Sequence, residues 1–127
     1  LEEKDMKIKI LITSLLLSFF GFAYGGAGHE LKPAYGGIVV EVKDVDVELV
    51  AKSDVLAIYL SDHGKPISSE GGTAKLTILN GSDKKEYELL PVGGRFELKG
   101  AFSVPKGSKA IAVIKLKSKV ITARFNL

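Results

Sequence analysis

The chain has 127 residues, 46% hydrophobic and 26% charged, with a net charge of +3, 14 Gly, 4 Pro and no Cys. These fractions belong to a folded globular protein and the length suits one domain of about 100 residues, so a largely disordered chain is excluded. Without Cys, a disulfide scaffold, a cysteine-rich zinc module and a lipid-modified cysteine anchor are excluded as well.

The N-terminus carries an address. Met6-Lys7-Ile8-Lys9 is basic, Ile10 to Ala23 is a 14-residue run without a charge, and Tyr24-Gly25-Gly26-Ala27-Gly28 supplies small residues. A basic start, a short apolar core and a small-residue exit make a secretory signal peptide. A membrane-spanning anchor would need about 20 apolar residues. Residues 1–5 precede Met6 as an upstream extension. Small residues at −3 and −1 place the cleavage so that the mature chain starts at Gly26 or Gly28. The expected destination is an exported compartment, the periplasm in a Gram-negative cell.

Beyond His29 the apolar pattern has period two, with Gly, Pro, Asn and Asp between the runs. Strands are predicted over 36–43, 45–52, 55–60, 73–79, 84–90, 95–103, 109–116 and 119–126. Matching the apolar faces fixes the registers. A two-residue loop at Lys117-Ser118 sets Ile114 opposite Ile121, Ala112 opposite Ala123 and Ala110 opposite Phe125. A four-residue loop from Asn80 to Asp83 sets Leu76 opposite Tyr87 and Ala74 opposite Leu89, with Lys75 opposite Glu88 on the wet face. A turn at Ser53-Asp54 aligns Leu49 with Ile58 and Val47 with Leu60, unless the two strands face each other across an Ig-like sandwich. Ile38-Val40-Val42 has the opposite parity to Val45-Val47, so a bend or bulge is expected near Lys43-Asp44.

Few residues have the chemistry for a site. Ser61-Asp62-His63 cannot act as a catalytic relay, because successive strand side chains point to opposite faces. Asp62-His63-Gly64-Lys65-Pro66 instead reads as a turn at a strand end. His29 lies in the segment Gly28-His29-Glu30-Leu31-Lys32-Pro33. If the chain begins Gly28-His29, the free amine, the next amide nitrogen and the imidazole chelate one Cu(II), whose tetragonal preference suits nitrogen donors. A composite site of His29, Glu30, Asp62 and His63 requires the tail to fold near the 62–66 turn. The pairs Gly36-Gly37, Gly71-Gly72 and Gly93-Gly94 read as turn and bulge glycines. Lys106, Lys109, Lys115, Lys117, Lys119 and Arg124 make the C-terminal third basic but without interleaved aromatics, which argues against a nucleic-acid partner. Tyr35, Tyr59 and Tyr87 read as core or cross-strand residues rather than a ligand platform.

The string ELKPAYGGIVVEVKDVDVELVAKSDVLAIYLSDHGKPIS, the NGSDKKEYELLPVGG hairpin and the closing ARFNL resemble a family of small uncharacterised exported bacterial β-sandwich proteins. Its members occur mainly in Gram-negative bacteria, some near copper or cobalt–zinc–cadmium efflux systems. The similarity spans about residues 30–127. Relatives have a more His-rich tail, with His where this chain has Tyr35. The resemblance therefore implies metal handling, with a ligand set that is reduced or lost in this chain.

The expected fold is an all-β, Ig-like antiparallel β-sandwich of seven or eight short strands, preceded by an N-terminal signal helix. Residues 1–27 are extension and signal, 28–35 an N-terminal tail and 36–127 the sandwich. The expected function is that of a non-enzymatic periplasmic protein handling a transition metal such as Cu(II) through His29, Glu30, Asp62 and His63. The alternative is an accessory or structural module of an envelope complex, with an envelope or efflux protein as partner and no metal role. Stable membrane insertion after signal cleavage is not expected.

Overall fold

Residues 31–127 are the part of the chain described by the computed structural model, and antiparallel strands carry their fold. The expected signal helix, and with it His29 and Glu30, lies outside the described residues. The strands are β1 (Ile38–Val42), β2 (Val45–Ala51), β3 (Val55–Asp62), β4 (Lys65–Pro66), β5 (Thr73–Asn80), β6 (Asp83–Val92), β7 (Arg95–Lys99), β8 (Lys109–Lys115) and β9 (Val120–Asn126). Among the described residues no helix is long and apolar enough to cross a membrane.

All strands belong to one sheet in the order β1-β2-β3-β7-β6-β5-β8-β9, with β4 paired to β3. Strand β6 joins its two halves. Its first part, Asp83 to Leu89, pairs with β5, and Leu90 to Val92 pair with β7. Pro91 sits where the strand changes partner, a place where a missing backbone donor is tolerated. The sheet coils until β1 and β9 lie side by side, bridged by Lys43 Nζ donating to the Val120 carbonyl at 3.3 Å. The architecture is all-β and nearly a closed barrel.

One side of β2, β3, β5, β8 and β9 is buried in a common core, to which β6 adds Leu89 and β7 adds Phe96. Val45, Val47 and Leu49 of β2 meet Leu56, Ile58 and Leu60 of β3, Leu76 and Ile78 of β5, Leu89, Phe96, Ile114, Ile121 and Phe125. Period-two alternation delivers these residues to one face, and their burial supplies the main driving force for folding. Val47 lies opposite Leu60 and Leu49 opposite Ile58, so β2 and β3 form a hairpin. An Ig-like sandwich would instead send the third strand to the facing sheet. The expected registers of β8 with β9 and of β5 with β6 are also present.

Local details differ from the sequence expectations in instructive ways. Strand β6 begins at Asp83 opposite Asn80, so the loop is the two residues Gly81-Ser82, with Gly81 at φ +61°. Lys75 lies opposite Glu88, yet its ammonium pairs diagonally with Glu86 at 3.0 Å. Lys84 reaches the same carboxylate at 3.1 Å, and the two lysines hold Glu86 below the usual carboxylate range. The predicted 95–103 strand stops at Lys99. Gly100 and Phe102 instead donate to the carbonyls of Asp54 and Ser53, which pulls this segment onto the β2–β3 turn.

No bulge separates β1 from β2. Lys43 and Asp44 form a two-residue hairpin turn, with Val42 opposite Val45. Such a turn pairs even positions with odd ones, which is why the apolar parity inverts. Both residues take positive φ, 51° and 65°, the left-handed conformation that side chains disfavour. Asp44→Gly is therefore expected to stabilise the protein by about 0.5–1 kcal/mol. A urea unfolding curve should move to a higher midpoint with an unchanged slope.

Candidate functional site

The outer face of β2 should be wet, and at Glu48 it is not. Glu48 is 5% exposed, because residues 34–37 fold across it. Its Oε1 accepts from the Ala34 amide at 2.7 Å, and its Oε2 accepts from the amides of Tyr35 and Gly37, each at 2.8 Å. Three charge-assisted bonds to backbone donors within one four-residue segment compensate for burying the carboxylate. The glycine pair makes this crossing feasible. Gly36 takes φ +76°. A Cβ on Gly37 would collide with the Leu49 carbonyl oxygen. Residues Ala34 and Tyr35, expected as a tail, are thus anchored to the sheet by β2.

The latch fixes the Tyr35 ring. It stacks on Tyr59 of β3 with centroids 3.7 Å apart and planes 11° from parallel, while remaining 52% exposed. This corrects the reading of Tyr35 as a core or cross-strand residue. Tyr87 does pack internally, edge-on against Phe102. Across the ladder from Tyr59 lies Arg95, whose Nε donates to Glu97 at 2.6 Å. The Glu97 hydrogen bond and charge raise the Arg95 pKa further, and both tyrosines contribute.

At one end of β3 the expected turn is present. His63 and Gly64 take φ 50° and 82°, and Asp62 pairs with Lys65. His63 Nδ1 lies 2.5 Å from Asp62 Oδ1, with both side chains mostly exposed. An ionised carboxylate only accepts, so Nδ1 carries a proton, and in the neutral ring Nε2 keeps the lone pair that can bind a metal. The hydrogen bond to Asp62 is the main cause that raises the His63 pKa above 6.5, with smaller contributions from the charges of Asp44 and Asp46. The stabilisation from this pair is complete below pH 6.5 and is lost as the pH rises through the raised value. Asp62→Asn is expected to return the His63 pKa toward 6.5. Imidazole proton NMR across pH 5–9 measures this, and an unmoved midpoint would sink the assignment.

The structure therefore brings Asp62 and His63 together, while His29 and Glu30 lie outside the described residues. Among the described residues no group of three His, Cys, Asp or Glu side chains is placed to hold a metal ion. The 62–66 turn presents one imidazole and its carboxylate partner. The glycine pairs serve the fold. Gly93-Gly94 turns β6 into β7, and Gly72 packs against the Lys115 carbonyl and Phe96. Two buried polar residues escaped sequence reading and are satisfied by backbone carbonyls: Ser69 donates to Gly93 at 3.0 Å and Ser108 to Pro105 at 2.6 Å. Comparisons with protein-family models, with curated proteins and with solved structures find no match.

Proposed function

We propose that the chain is an exported, non-enzymatic periplasmic protein that captures a transition-metal ion such as Cu(II). Residues 1–27 direct export, and the candidate ligands are His63, supported by Asp62, and, in the N-terminal segment, His29 and Glu30. The observation that carries this reading is the Asp62–His63 pair. A metal-binding imidazole characteristically gives its other ring N–H to a carboxylate, which fixes the tautomer and sharpens the donor.

Calorimetric titration with Cu(II), using protein processed by export, tests this. One ion per chain is expected, with affinity lowered at least about tenfold in both His29→Ala and His63→Ala. Binding that survives both changes would contradict it.

A second reading, an accessory module of an envelope complex, is favoured by a different observation. Leu90 is 61% exposed and borders a groove of about 500 Å³ lined by Thr73, Lys75, Glu88, Pro91 and Val113. An apolar strip rimmed by charges suits a protein partner. On that reading the histidine variants leave function untouched.

A further inference from the structure

The outer face of β3 and β7 holds an aromatic surface that the metal proposal does not use. One face of the Tyr35 ring rests on Tyr59, and the ring is half-exposed. Aromatic pairs left to themselves settle offset or edge-to-face, with centroids about 4.5–7 Å apart. Here the stack is tighter and nearly parallel, and Glu48 holds the Tyr35 backbone amide beside it. A ring fixed in this way loses little further freedom when something lands on it.

The surroundings narrow what can land. Arg95 and Glu97 lie beside the stack and pair through their 2.6 Å bond, and Lys99 Nζ lies 4.0 Å from the other Glu97 oxygen, so the carboxylate compensates most of the positive charge here. Nucleic acid is disfavoured for the same reason, since its backbone needs uncompensated positive charge. A ligand that fits has a flat apolar face for the tyrosine and neutral hydroxyls for the flanking charged groups. We propose that Tyr35, backed by Tyr59, is a stacking platform for a pyranose ring of a β-1,4-linked glycan, with Arg95 and Glu97 hydrogen-bonding its hydroxyls. Sugars with equatorial substituents present the flat C–H face that such a platform requires.

The test is an amide NMR titration of the full chain with a β-1,4-linked N-acetylglucosamine tetramer, with maltotetraose as the curved control. Saturable shifts are expected at Tyr35, Tyr59 and Arg95 with the first sugar and weaker ones with the second. Affinity should fall about tenfold in Tyr35→Ala and persist in Tyr35→Phe, tenfold corresponding to about 1.4 kcal/mol. Glu48→Gln keeps the ring but weakens its anchor, and should also reduce affinity. Absence of shifts, affinity unchanged in Tyr35→Ala, or tighter binding of a single-stranded oligonucleotide at these residues would overturn the proposal.

Discussion

Phe96→Ala is expected to lower the unfolding free energy by about 3–5 kcal/mol, a large share of what a domain of this size has. Phe96 is fully buried and sits on β7, between Ile58 of β3 and Pro91 of β6. That five-residue strand ties β3 to β6, the strand that joins the two halves of the sheet, so a cavity there loosens the junction. The Gly72 backbone also packs against this ring. Urea unfolding followed by circular dichroism should show a sharply lower midpoint. A midpoint near that of the wild type would mean that β7 does not carry the junction.

Glu48→Ala is expected to cost about 2–3 kcal/mol, the range for hydrogen bonds to a charged group that cannot all be replaced. Its effect is also local. The amides of Ala34, Tyr35 and Gly37 lose their acceptor, so their hydrogen exchange should accelerate far more than that of core amides such as Leu76. Glu48→Gln is a milder case, because the amide NH₂ would face an N–H where a carboxylate oxygen now accepts. Unchanged exchange at residues 34–37 in both variants would show that the latch does not hold the segment.

Much of the fold was legible because hairpin registers are decided by local facts. Ile114 against Ile121 and Leu76 against Tyr87 follow from two apolar faces that must coincide across a short turn. The strand order was not legible. Pairing β7 with β3, or β8 with β5, depends on which long connection closes, and nothing local to Val55–Tyr59 names Arg95–Lys99 as neighbour. Glu48 shares the parity of Asp46, so alternation assigns it to water. Its burial comes from a segment eleven or more residues away folding across it. Two residues carried the hint: Val50, an apolar side chain on the supposed wet face, and Gly37, which only a close backbone approach explains. The Asp62–His63 turn was readable from Asp-His-Gly, since a two-residue turn with positive φ suits Gly and tolerates His.

The central proposal is that the Asp62–His63 turn holds a metal ion. Cu(II) titration of His63→Ala beside the wild type tests it most directly, because this exposed imidazole lies outside the core. The account predicts that the change lowers Cu(II) affinity about tenfold or more while the fold remains intact by circular dichroism. Wild-type affinity in a folded His63→Ala protein would contradict it.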